Sequence, residues 1–158
     1  MKIGKQEIDT NLIILLAALG VGYVLYNKIF GKDKDESTID DLDEPISSIL
    51  DFPTYAKKMG AKYGAKKFAS AVIAGGSEKI RKAAEVLDDV LDEYYITDQQ
   101  EGAAIAALNS MSNKAQISFL SKVYFDKYKR SLQQDLINGL DDEPLARAYK
   151  VINNKPAI

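Results

Sequence analysis

The sequence predicts an all-α protein, with one N-terminal transmembrane helix followed by a small bundle of five helices. Three features support this fold class. An uncharged window runs from Thr10 to Asn27, an acidic stretch follows it, and the last two thirds of the chain repeat apolar residues at helical spacing behind recognisable helix caps. No run alternates convincingly between apolar and polar residues, so no β-sheet is predicted.

The apolar run from Leu12 to Tyr26 contains no charge and no side chain more polar than tyrosine. With its neutral flanks it spans eighteen residues. At about 1.5 Å of rise per residue this makes roughly 27 Å of helix, close to the hydrocarbon thickness of a bilayer. Because fifteen strictly apolar residues are few for a span, a buried core helix is the alternative. The residues predicted to anchor the chain in the membrane are Leu12, Ile13, Ile14, Leu15, Leu16, Leu19, Val21, Tyr23, Val24, Leu25 and Tyr26.

We expect this helix, residues 12–30, to be retained as an anchor, because no small-residue cleavage site of a signal peptide follows it. The expected location is a bacterial inner membrane or the internal membrane of a virus. Lys28, Lys32 and Lys34 follow the apolar run, whereas only Lys2 and Lys5 precede it. The positive-inside rule therefore favours a cytoplasmic C-terminal part. Ala18 and Gly22 lie four residues apart, a spacing that would let two such helices pack closely in lipid.

Charge divides the rest of the chain into segments. Residues 1–11 flank the span, 31–53 form an acidic linker, 54–76 a basic amphipathic segment, 77–154 a helical domain and 155–158 a tail. Near the end of the linker, an apolar patch is expected to dock a helical turn onto the domain. This patch consists of Ile46, Ile49, Leu50 and Phe52.

The basic segment carries five lysines and no acid, namely Lys57, Lys58, Lys62, Lys66 and Lys67. Lys58, Lys62 and Lys66 are four apart, which predicts one stripe on a helix, with Tyr55, Met59 and Tyr63 on another face. A basic amphipathic helix is typical of binding to an anionic surface. The alternative is that these lysines only solvate the exposed face of a packed helix.

Helix caps divide the C-terminal part into five predicted helices. They begin at Ser77, at Thr97-Asp98 with Gln100 in capping-box position, at Ser112-Asn113, at Ser131 with Gln134 in a second capping box, and at Asp142-Glu143-Pro144 with proline in the first turn. The first is expected to end near Tyr95, the fourth at Gly139 and the last near Asn153-Asn154.

Between Thr97 and Ile152 the order of these features resembles one repeat of the annexin family. The matching pieces are Thr97-Asp98, Ile105 with Leu108, Asn113 with Ala115-Gln116, Tyr124, and Ser131-Leu132 with Asp135-Leu136. With the Ser77 helix added, the resemblance implies a five-helix orthogonal bundle. It does not imply the family's calcium-dependent lipid binding. Tyr94-Tyr95-Ile96 replaces the loop glycines before Thr97, and Gly139 stands where the calcium-binding acid would be.

Cysteine and histidine are both absent. Their absence excludes disulfides, thiolate nucleophiles, Ser-His-Asp triads and the common zinc sites. We therefore expect no catalytic residue, no metal site and no cofactor. A hydrolase with paired carboxylates remains an alternative, with Glu85, Glu93 and Glu101 as its candidate acids.

A second acidic group lies near the end of the Ser77 helix, where the helix dipole disfavours anions. It comprises Asp88, Asp89, Asp92 and Glu93. Such a position indicates a basic partner, although a solvated helix face also explains it.

Together these features predict a membrane-anchored structural or interaction protein rather than an enzyme. The expected partners are the lipid bilayer, other proteins of a membrane-associated assembly and an anionic surface. A component of a lipid-containing bacteriophage virion is the leading version, and a bacterial envelope scaffold or a membrane-tethered hydrolase is the alternative. Nucleic acid is not expected, because helix packing explains Tyr94, Tyr95, Tyr124 and Tyr128 better than base stacking does.

Overall fold

Residues 45–158 are the part of the chain that the computed structural model describes, and they contain helices but no strands. The helices are α1 (Ile46–Leu50), α2 (Phe52–Tyr63), α3 (Ala65–Ile73), α4 (Ser77–Leu91), α5 (Asp98–Asn109), α6 (Lys114–Tyr128), α7 (Leu132–Gly139) and α8 (Asp142–Asn153). The all-α prediction is therefore confirmed for this part of the chain.

The predicted transmembrane helix, residues 12–30, lies outside the described residues, together with its anchor residues and the Ala18–Gly22 packing pair. Within residues 45–158, no helix is both long enough and apolar enough to cross a membrane.

Helix α6 is the centre of the fold. It contacts α1, α2, α3, α4, α7 and α8, while α5 pairs with α4 and α8. Ala115, Ile117 and Leu120 are completely buried, and so is the hydroxyl-bearing Ser118. A helix that is covered on nearly every side needs apolar or small residues all round rather than a single stripe. Residues 115–121 of α6 are all buried and, apart from Gln116, are apolar or small, whereas the charged Lys122, Asp126 and Lys127 lie in the less covered C-terminal half.

Helices α1 to α3 cover α6 on one side. As expected, the apolar patch forms a helical turn, and Ile49, Leu50 and Phe52 are buried in the core. The Phe52 ring lies 5.4 Å from that of Phe119 on α6 and 6.2 Å from that of Phe68 on α3. The hydrophobic core thus runs without a break from α1 to α8, across the predicted boundary at residue 76.

The helix starts that depend on local capping were predicted well. Thr97 and Gln100 form the complete capping box, in which the Gln100 Oε1 accepts from the Thr97 N–H at 2.9 Å. Asn113 caps α6 by accepting from the Gln116 N–H at 2.8 Å. Ser131 caps α7, although the Gln134 side chain donates to Asn138 instead of returning to the cap.

The helix beginning at Ser77 differs from the prediction at both ends. Gly75 and Gly76 both have positive φ, so Gly76 is the residue that precedes the helix and Ser77 is its first residue. The helix ends at Leu91 rather than near Tyr95. Tyr94 and Tyr95 consequently lie in the loop between α4 and α5.

Five helices lie between Ser77 and Asn153, the number implied by the annexin-type resemblance. Helix number alone does not distinguish one small helical bundle from another, so the resemblance stays a prediction.

Candidate anionic-surface interface

The five lysines of the basic segment lie around the junction of α2 and α3, and we call this set the lysine corner. Gly64 forms the junction with φ +88° and ψ 142°, a conformation that is essentially restricted to glycine. Lys57, Lys58 and Lys62 lie on α2, whereas Lys66 and Lys67 lie on α3. The prediction of one helical stripe through Lys58, Lys62 and Lys66 is therefore wrong, because Gly64 interrupts the helix.

Tyr63 holds two of the lysines together at this junction. The Lys62 Nζ lies 5.4 Å from the centre of the Tyr63 ring, and the Lys67 Nζ lies 5.6 Å from it. Ammonium groups within about 6 Å of an aromatic ring are attracted to its π face. Tyr63 thus brings a lysine of α2 and a lysine of α3 onto one surface, despite the break between the helices.

Most of the lysine corner is open to solvent. Lys57, Lys62, Lys66 and Lys67 are exposed, and Lys58 is partly exposed. Among the ion pairs formed within residues 45–158, none includes Lys57, Lys66 or Lys67. These three lysines keep their charge available to a partner.

The apolar face of the basic segment belongs to the domain's own core. Tyr55 and Met59 are buried, and the Tyr55 hydroxyl donates to the Ala157 carbonyl at 3.0 Å. Two of the three residues predicted on the other face of the helix, Tyr55 and Met59, therefore pack inside the domain and do not face a partner. Any binding at this surface has to come from the lysines and from Tyr63.

The acidic group at the end of α4 has a cationic partner within the same chain. Arg130 binds Asp88 and Asp92 through its two terminal nitrogens. Its Nε also lies 3.3 Å from the Asp135 carboxylate on α7. Two of the four acids, Asp88 and Asp92, are thus neutralised by an arginine of the same chain. Asp89 is exposed and takes part in no ion pair within the described residues.

Tyr124 completes this cluster from α6. Its hydroxyl donates to the Asp135 Oδ2 at 2.7 Å and accepts from the Arg130 Nη2 at 3.2 Å. Burial of the ring raises the pKa of Tyr124 well above its usual value of 10.0, and the hydrogen bond to Asp135 raises it further. The cluster joins the ends of α4, α6 and α7.

The candidate catalytic acids have structural partners or lie apart. The Glu85 Oε1 is 2.8 Å from the Arg81 Nη1 and 3.1 Å from the Lys127 Nζ. Glu101 is buried and accepts from the Asp141 N–H at 3.2 Å, next to the start of α8. Glu93 lies in the exposed loop after α4. In the described part of the chain, no three acidic side chains are gathered as they would be to hold a metal ion.

A groove of about 640 Å³ lies between α4 and α5. It is lined by small apolar residues, including Ala83, Ala103 and Ala107, and also by Lys79 and Lys82. The groove is lined by one carboxylate, Glu78, and by one hydroxyl, that of Ser110, which donates to the Ala107 carbonyl at 2.7 Å.

Sequence reasoning missed Tyr94 and Tyr95, which it assigned to helix packing. They are 95% and 82% exposed, and their rings contact each other edge to face at 5.3 Å. Each ring therefore lies almost wholly in solvent. The position directly before the Thr97 capping box could have revealed them as loop residues, because an N-cap lies outside the helix that it precedes.

In comparisons with family models, curated proteins and solved structures, nothing matches this chain.

Proposed function

We propose that the chain is a membrane-anchored structural protein of a larger membrane-associated assembly, such as a lipid-containing bacteriophage virion. In this proposal, residues 12–30 hold it in the bilayer and the lysine corner binds an anionic surface. The uncharged window from Thr10 to Asn27 supports the first part.

The second part rests on a contrast in how cations are used across the domain. Elsewhere in residues 45–158, five cations pair with carboxylates, namely Arg81, Lys82, Lys122, Lys127 and Arg130. Lys57, Lys66 and Lys67 form no such pair, and residues 54–76 contain no acid at all. Each lysine near an anionic membrane contributes about 1 kcal/mol to binding. This unbalanced set is the observation that carries the proposal.

The test has one arm for the anchor and one for the lysine corner. Alkaline carbonate should leave the full chain in the membrane pellet and leave a fragment starting at Ser37 in the supernatant. The same fragment should sediment with anionic vesicles at low salt. Changing Lys57, Lys66 and Lys67 to Gln should lower the affinity for the vesicles by about 100-fold, because each lysine contributes about 1 kcal/mol to binding.

The matched control changes Lys82, Lys129 and Lys150 to Gln, which alters net charge equally but leaves the lysine corner intact. This control variant should bind vesicles nearly as well as the wild type. Equal weakening by both triple variants would mean that only net charge matters. Release of the full chain by carbonate would show that residues 12–30 are not a membrane anchor.

A further inference from the structure

Two sets of charges in this domain oppose the dipoles of the helices that carry them. The last turn of α4 has no basic residue and carries Asp88 and Asp89, with Asp92 and Glu93 directly after it. The first turn of α3 has no acid and carries Lys66 and Lys67. Anions at a helix C-terminus and cations at an N-terminus are each unfavourable by several tenths of a kcal/mol. A contact with an opposite charge would offset this cost.

Internal contacts compensate only part of these charges. Arg130 compensates Asp88 and Asp92. Asp89, Glu93, Lys66 and Lys67 make no ion pair within residues 45–158. The remaining charges are therefore an acidic pair at one site and a basic pair at another.

The acidic pair lies beside the exposed tyrosines. Glu93 directly precedes Tyr94 and Tyr95, which are 95% and 82% exposed. Tyrosine is enriched among the few side chains that dominate binding at protein interfaces, and it has few rotatable bonds to immobilise. We call Asp89, Glu93, Tyr94 and Tyr95 the tyrosine loop patch.

The two charged surfaces lie on different sides of the central helix. Helices α2 and α3 pack on each other and on α6, and α2 also packs on α1, whereas α4 packs on α6 together with α5 and α7. A surface of one sign on one side and a surface of the opposite sign on the other cannot neutralise each other within one copy. Two copies can bring them together.

We propose that the tyrosine loop patch of one copy docks on the lysine corner of a second copy, head to tail. This inference rests on the proposed function, in which the lysine corner binds an anionic surface. It identifies that surface as the tyrosine loop patch of a second copy. Asp89 and Glu93 face Lys66 and Lys67, and the tyrosine rings offer π faces to the lysine ammonium groups. Because the two surfaces are different, each copy keeps one free, and the contact extends into an open array or a closed ring.

The experiment measures self-association of the full chain in a mild non-ionic detergent by sedimentation velocity, at low and high salt. The wild type should form oligomers that grow with concentration and dissociate at high salt, because salt screens exposed charges over about 8 Å at physiological ionic strength. Changing Tyr94 and Tyr95 to Ser should weaken association about 30-fold, as expected for a lost interface hot spot. Ile137→Ser removes an exposed apolar side chain elsewhere and should leave association unchanged.

Charge-reversal variants, measured alone and mixed, test whether the two surfaces contact each other. Asp89→Lys with Glu93→Lys makes both surfaces basic, and Lys66→Glu with Lys67→Glu places two acids where Asp89 and Glu93 would dock. All four changes agree with the local helix dipole, so they do not endanger the fold. Each variant alone should fail to associate, whereas an equimolar mixture should associate again, because each now presents surfaces complementary to those of the other.

The outcomes separate this inference from the proposed function. Absence of salt-dependent association in the wild type, or a mixture that fails to associate, would overturn head-to-tail docking. Dimers insensitive to salt and to these changes, as expected for contacts between the anchors, would overturn it too. Vesicle binding and carbonate retention report on the proposed function separately, and the Tyr94→Ser, Tyr95→Ser variant should retain both.

Discussion

The hydroxyl of Tyr124 lies where α4 and α6 end and α7 begins. It donates to Asp135 on α7 and accepts from Arg130, which in turn binds Asp88 on α4. The sequence could not predict this cluster, because Arg130 and Asp88 are 42 positions apart and nothing local relates them. Sequence reasoning saw only that the acids on α4 lacked a favourable dipole. It left a basic partner and a solvated helix face as alternatives, and the structure shows the basic partner for Asp88 and Asp92 to be Arg130 of the same chain.

The raised pKa of Tyr124 predicts a loss of stability at alkaline pH. In the unfolded chain this phenol ionises near pH 10, whereas in the folded chain it stays protonated to higher pH. The stabilisation is therefore fully present below pH 10 and is lost as the pH rises above it. Tyr124→Phe cannot ionise, so the variant should lose less stability than the wild type.

Urea unfolding measures this difference. At pH 8, Tyr124→Phe should be about 1 kcal/mol less stable than the wild type, the usual effect of losing one hydrogen bond. Between pH 10 and 11 the gap should narrow by about 1 kcal/mol. A gap that stays constant with pH would show that Tyr124 ionises equally in both states.

At the scale of elements, helix starts were predicted correctly where a capping side chain hydrogen-bonds to the first turn of its own helix. The Thr97 and Asn113 caps are such cases, since the partner N–H lies within three residues. The break at Gly64 was missed because Lys62 and Lys66 are four residues apart, the spacing that a continuous helix would have. Periodicity records which face residues would share if the backbone were helical. It does not record whether the backbone is helical.

Two glycine-to-alanine changes should have opposite effects on stability. Gly64 has φ +88°, so Gly64→Ala should destabilise the domain by about 1–3 kcal/mol. Gly102 lies within α5 and is exposed, and a methyl group added there would meet no atom within 4 Å. Gly102→Ala should stabilise by about 0.5–1 kcal/mol by raising helix propensity. Thermal unfolding of both variants checks the signs, and stabilisation by Gly64→Ala would mean that α2 and α3 can form one continuous helix.

At the scale of the whole molecule, polar contacts at the start of α6 tie the N-terminal helices and the tail to the rest. The Gln116 Nε2 donates to the carbonyls of Ala71 and Ala74 at the end of α3. On the other side, the Lys114 N–H donates to the Pro156 carbonyl at 2.8 Å. These contacts join segments far apart in sequence, so patterns read within one helix could not reveal them. The lysine corner depends on them, because it lies on α2 and α3.

The same contacts predict that Gln116 controls how firmly α3 is held. Gln116→Ala removes the Oε1 that accepts from the Ser112 N–H at 2.8 Å. It also removes the hydrogen bonds to the Ala71 and Ala74 carbonyls, of which only that of Ala71 keeps a second donor within residues 45–158, the Asn113 Nδ2 at 3.2 Å. Losing buried hydrogen bonds of this kind should cost about 2 kcal/mol. Amide hydrogen exchange should rise more in α2 and α3 than in α5, because α5 makes no extensive contact with α3.

The matched control is Gln134→Ala, which removes an exposed glutamine whose side chain bonds only Asn138. Its effect should stay within about 0.5 kcal/mol, as is usual for surface substitutions. If Gln116→Ala raised exchange uniformly across all helices, α1 to α3 would unfold only together with the rest of the domain. A local rise would show that the surface bearing the lysine corner can loosen while the other side of α6 stays folded. Head-to-tail docking would then be weakened by Gln116→Ala although no docking residue had changed.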